Sequence, residues 1–201
     1  MDDTCTVRYV QKVPRQINTE KRAELLGDVV AYIQRHGLAN LSLTPLAEEI
    51  GTTKRMLLYY FGSRENLLAR ALAASRPDAH ALFDGVTEPR ELSRSARTLW
   101  QAITVGEQAG PIRMLLQLLS LAATDAAQYG ELAADTVEFM VGPIADAFVR
   151  LGTTERHARE RATLLVSGLR GLCQDRLVTG DAARTDAAAH LLIDAAVHGM
   201  G

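Results

Sequence analysis

Apolar positions along this chain recur at steps of three and four, and no sustained alternation of the kind a half-buried strand needs interrupts them. From Thr19 the set Ala23, Leu26, Val29, Val30 and Ile33 marks one helix face, and the segment closes on His36-Gly37. A second, short helix is expected to open at Thr44-Pro45, with the threonine as cap and the proline at the first helical position, and to end at Gly51. A third runs from Thr53 to Tyr60, and Gly62-Ser63 breaks and recaps the chain before a fourth near Arg64. Beyond Ser75 the glycines and prolines, Gly130 among them, divide the chain into helices expected at about 78–84, 89–105, 111–128, 131–150, 154–178 and 182–198. Gly142-Pro143 lies within one of these and predicts a kink, because the apolar period resumes at Ile144. The pattern describes an all-α protein with no internal repeat and no low-complexity tract.

The stretch from Leu43 to Leu68 has the spacing of a helix-turn-helix. Ala47 stands four positions before Gly51, so two helices can approach closely across a turn that glycine makes at little steric cost. Leu46, Ile50, Leu57 and Leu58 supply an apolar inside. Thr53, Lys54, Arg55, Tyr59 and Tyr60 are left on the outside of the third helix, a set of donors and planar groups suited to phosphates and base edges.

On these residues the chain resembles the TetR family. The matching positions are Ala47, Glu48, Gly51, Thr53, Leu57, Tyr59, Phe61, Ser63, Glu65 and Leu67, within a resemblance that covers about residues 19–75. Arg55 stands where the family usually has a small residue, Leu58 where it has a tyrosine, and Arg64 replaces a lysine. The resemblance implies a basic arm over 1–18, a three-helix DNA-binding domain over 19–62 and a helical ligand-binding and dimerisation domain over 63–201. The implied activity is transcriptional repression, exerted by a homodimer on a palindromic double-stranded operator and relieved by a small-molecule ligand. The DNA-contacting set is Lys21, Thr44, Thr53, Lys54, Arg55, Tyr59, Tyr60 and Arg64, with Arg64 implied to touch phosphate.

The family also implies an intersubunit four-helix bundle built from the last two helices. Periodicity agrees: Leu164, Leu165, Gly168, Leu169, Leu172 and Cys173 form one apolar stripe, and Ala188, Leu191, Leu192 and Ala195 another. Of these, Leu165, Gly168, Leu169, Leu172, Ala188, Leu191, Leu192 and Ala195 are the expected interface. A ligand cavity is implied among the middle helices, where Phe83, Trp100, Met114, Gln117, Leu118, Tyr129, Phe139 and Met140 are the larger side chains. With Trp100, Gln117 and Tyr129 as polar handles, a hydrophobic or aromatic ligand is expected. His190, Asp194 and His198 fall four apart on one face of the last helix, a spacing open to a metal, but a polar outer face is the simpler expectation. No metal and no cofactor are expected.

Composition narrows the alternatives. In a chain of 201 residues, 47% hydrophobic and 23% charged residues describe an ordinary globular protein. The net charge of −2 hides an asymmetry: residues 11–76 carry ten Lys/Arg against six Asp/Glu, and residues 77–201 eleven against sixteen. A basic head on an acidic body suits a polyanion at one end only. A non-specific architectural DNA binder would be more basic overall. An all-helical enzyme is the other alternative, but the sequence has no HExxH, Gly-rich phosphate loop or nucleophile elbow. Cys5 and Cys173 lie too far apart in sequence to read as a metal pair. The acidic opening without an apolar core, and apolar runs too short for a bilayer, predict a cytoplasmic protein.

Overall fold

The computed structural model describes residues 18–38, 41–76, 78–105 and 109–198. The expected basic arm lies outside the described residues except for Asn18. Among the described residues the elements are all helices: α1 (Thr19–His36), α2 (Leu43–Glu49), α3 (Lys54–Phe61), α4 (Arg64–Ser75), α5 (Ala79–Phe83), α6 (Pro89–Thr104), α7 (Ala109–Thr124), α8 (Ala126–Arg150), α9 (Glu155–Thr179) and α10 (Ala182–His198). None of them is long and apolar enough to cross a membrane.

Short-range chemistry sets the helix ends. Asn18 caps α1, its side-chain oxygen accepting from the Lys21 backbone N–H at 3.0 Å. Thr53 caps α3 through Met56 N–H at 3.2 Å, and Ser63 caps α4 through Asn66 N–H at 3.1 Å. The N-cap of α2 is Ser42 rather than Thr44, which places Thr44 and Pro45 inside the first turn, where a proline still forfeits no helical hydrogen bond. Gly51 (φ 68°) makes the turn between α2 and α3, and Gly62 (φ 81°) terminates α3. Gly130 does not break the chain as expected. Asp125 caps a continuous α8 through Gln128 N–H at 3.1 Å, and the helix runs on through Gly142-Pro143. An interior glycine costs about 1 kcal/mol against alanine, and α8 buries Tyr129, Ala133, Thr136 and Met140 on either side of that region.

Two cores result. The first gathers Leu25, Val29 and Ile33 of α1 with Leu46, Leu57, Phe61, Leu67 and Leu68. The buried face of α1 is rotated from the expected one: Leu25 and Tyr32 lie inside, Leu26 and Val30 only pack against it, and Ala23 is exposed. Met114 and Leu118 of α7 and Tyr129 and Ala133 of α8 enter this same core. The head core thus takes in residues of α4, α7 and α8.

The second core joins α5, α6, α8, α9 and α10 around Phe83, Trp100, Ile144, Phe148, Leu165 and Ile193. Full burial of each such side chain contributes about 1.5–3 kcal/mol. The Trp100 indole N–H donates to Asp186 at 2.7 Å, and Asp186 also accepts from Arg176 at 2.6 Å, tying α6, α9 and α10 together. Arg150 donates to the carbonyls of Phe83 (2.5 Å) and Val86 (3.3 Å), tying α8 to the end of α5 and the turn after it.

Candidate nucleic-acid interface and ligand cavity

On α3 the inward positions are Leu57 and Phe61, with Leu58 and Tyr60 half-buried beside them. That anchoring leaves Lys54, Arg55 and Tyr59 on the outer surface, Tyr59 at 44% exposure. Among the described residues no ion pair engages Lys54 or Arg55, and Arg55 does not turn aside to Glu48. The Thr53 hydroxyl accepts the Met56 N–H and keeps its own proton free to donate. Tyr59 and Tyr60 meet edge to face, centroids 5.1 Å apart, which steadies both rings. Thr44 is exposed on the first turn of α2. Lys21 is exposed at the start of α1, where the Glu24 carboxylate 2.9 Å away holds its ammonium charged above the ordinary lysine range. Of the eight expected DNA contacts, Lys21, Thr44, Thr53, Lys54, Arg55 and Tyr59 are exposed and Tyr60 is half-buried.

Arg64 is the eighth, and its guanidinium turns inward. Nε donates to the Leu41 carbonyl at 3.1 Å, and the two terminal nitrogens reach the Tyr129 hydroxyl at 3.3 and 3.4 Å. Three of its five N–H donors thus bond within the protein, two of them joining α4 to α8. A second joint lies nearby: Gln117 Oε1 accepts the Leu38 N–H at 2.8 Å, with its amide so close to Gly37 that a Cβ there would stand 3.1 Å away. Gln117 and Tyr129, expected to be ligand handles, are therefore couplers between head and body. Sequence offered no sign of this, because the partners lie 79 and 65 residues away.

A cavity of about 70 Å³ opens between α4, α6, α7, α8 and α9. Its walls are Leu72, Ser75 and Arg76 from α4, Leu99 and Ile103 from α6, Pro111, Ile112, Met114 and Leu115 from α7, Thr136, Val137 and Met140 from α8, and Val166, Leu169 and Arg170 from α9. Of the eight residues expected here, Met114 and Met140 line it. Phe83, Trp100 and Leu118 are core, Trp100 with its N–H already bonded. Phe139 lies outside, beneath the Arg76 guanidinium at 3.5 Å from its ring centroid. Most of the missed residues occupy ordinary apolar helix positions, which periodicity cannot separate from core, and nothing local marks Ser75, Arg76, Thr136 or Arg170 as facing a cavity.

The stripes expected to form the dimer are mostly covered within the subunit. Leu165 and Leu169 are buried at 0% and 2% exposure, and Leu172, Ala188 and Leu192 are partly covered. Leu192 sits on Gly168, where a Cβ would collide with its methyl, so that glycine serves packing within the subunit. Leu191 and Ala195 do face outward, with Ala187 beside them and Leu164 and Val178 exposed on α9. Asp194 is paired with Arg97 at 2.7 Å, and no metal-binding group occurs among the described residues. The His198 side chain lies outside what is described.

With this geometry in place, comparison with known proteins is informative. Residues 30–71 match the family of bacterial regulatory proteins described as the tetR family. Comparison with curated protein sequences gives no match. Among solved structures the chain is similar to a TetR-family transcriptional regulator from Rhodococcus sp., at 26% identity over 90% of this chain and 100% of that one, with a TM-score of 0.71. It is similar in fold to NalD, the secondary repressor of the MexAB-OprM multidrug efflux pump in Pseudomonas aeruginosa, at 18% identity over 90% and 97% of the two chains, TM-score 0.63. A transcriptional regulator from Saccharomonospora viridis, solved in complex with choline, shares the fold at 20% identity over 90% and 97%, TM-score 0.63.

Proposed function

We propose that this chain, a TetR-family protein by its residues 30–71 and by its fold, is a cytoplasmic repressor that binds a palindromic operator as a homodimer and is released by a small ligand. The observation that carries the reading is the outer side of α3, where Lys54, Arg55 and Tyr59 project, unpaired with any acid, from a helix anchored by Leu57 and Phe61. Such a helix can enter a major groove with its donors facing base edges. The outward apolar strip of Leu164, Val178, Ala187, Leu191 and Ala195 supports a dimer through α9 and α10, since apolar surface of this kind marks a contact surface. Two heads related by a two-fold axis read half-sites related the same way.

Ligand release has a physical route. The helices α7 and α8 each carry cavity wall and a head joint: Met114 and Gln117 on α7, Thr136 and Tyr129 on α8. A ligand that wedges the cavity would tilt both, and α4, which also lines it, belongs to the head core. Nothing in this scheme needs catalysis or a cofactor. A gel shift on the DNA upstream of the chain's own gene tests the reading. A discrete complex that survives excess random duplex is expected; binding of all duplexes alike, or of none, would overturn it.

A further inference from the structure

The cavity's chemistry restricts what can occupy it, given the reading of that cavity as the ligand site. Its walls are apolar except for two hydroxyls and two arginines. Both hydroxyl protons are committed to their own helix, Ser75 to the Ala71 carbonyl at 2.6 Å and Thr136 to the Leu132 carbonyl at 2.7 Å. Among the described residues no carboxylate lines the cavity, so they offer a desolvated cationic guest no counter-charge.

The two arginines differ. Arg76 has its guanidinium face stacked on Phe139, and the Asp135 carboxylate offsets part of the burial that pushes its pKa down. Arg170 is half-buried, and its hydrogen bond is a single 3.3 Å contact to the Ser167 hydroxyl; among the described residues no acid pairs with it. Burial alone acts on it and pushes its pKa down, the mark of a charge whose environment supplies no compensating anion.

We propose that the cavity binds an aliphatic carboxylate, its chain among Leu99, Ile112 and Met140 and its carboxylate on the Arg170 guanidinium. Among the described residues a choline-like cation finds no counter-charge there. The fork of guanidinium donors matches the two carboxylate oxygens, and such charge-assisted pairs are about twice as strong as neutral hydrogen bonds.

Calorimetric titration of the full chain with octanoate, 1-octanol and octylammonium at neutral pH tests this, with Arg170→Gln as the variant and its thermal melt as the check on folding. Octanoate is expected to bind saturably and at least tenfold more tightly than the other two. Arg170→Gln should weaken octanoate about tenfold or more and leave octanol unchanged. Equal affinity for all three, a preference for the ammonium, or an octanoate affinity indifferent to Arg170→Gln would overturn the proposal. Binding of octanol or octylammonium without octanoate would overturn it while leaving the cavity as a ligand site. Binding of none would remove both, and the gel shift would still judge DNA binding independently.

Discussion

Gln117→Ala removes the acceptor of the Leu38 N–H, a 2.8 Å bond between residues 79 apart that holds the end of α1 to α7. An ordinary hydrogen bond contributes about 0.5–1.5 kcal/mol net, and a buried donor left unpaired costs about 1–3 kcal/mol. Leu38 is 2% exposed, whereas Gln117 stands on the accessible side, so water can reach the vacated N–H in part. Alanine also leaves Gly37 without the amide packed on it. The loss should therefore be about 1–1.5 kcal/mol, which in a chain of this size lowers Tm by about 2–6 °C. Gln117→Glu keeps an acceptor at the same reach and should recover most of that. Calorimetric melts of the three proteins decide. A Tm for Gln117→Ala within about 1 °C of wild type, or a glutamate variant as unstable as the alanine one, would show that the bond does not join head and body.

Three further outcomes are expected. Arg55→Ala should cost about 1–3 kcal/mol on the operator and relax preference at one base pair per half-site, whereas Lys21→Ala should weaken every duplex alike and flatten the salt dependence; binding selections that show an unchanged base preference would remove Arg55 from base reading. Leu191→Glu places a charge on the exposed strip of α10 without touching the subunit core, where Leu191 is 72% exposed, and sedimentation should show monomers; a persistent dimer puts the interface elsewhere. Arg184 holds the Asp175 carboxyl below its ordinary range, and Arg159 does the same for Glu138. Folded values below the unfolded ones mean stabilisation that is complete above about pH 5 and fades as pH falls through the lowered values. Asp175→Asn should make the acid decline of Tm shallower, and an identical pH profile would count against the pair.

The head was legible because its information is local. The spacing from Ala47 through Gly51 to Phe61, the Thr53 and Ser63 caps and the donors at 54, 55 and 59 all act within one or two helical turns, so the pattern alone predicts both the element and its outer side. Even so, single steps went astray: α1 turned its buried face towards Leu25 and Tyr32, and Ser42 took the cap expected of Thr44.

What sequence by itself determined is the all-helical class, the helix-turn-helix and the outward chemistry of α3, because helical period and capping are properties of neighbours along the chain. Only the tertiary structure decided which apolar faces line the cavity, which form core and which remain outside. A leucine at helical spacing is the same signal in all three settings, and Leu169 and Leu191, both expected at the interface, differ only in what packs over them. The same holds for Arg64 and Arg170. One is committed to Leu41 and Tyr129 while the other lies at the cavity with no acid beside it, a distinction set by partners that chain folding brings from far along the sequence.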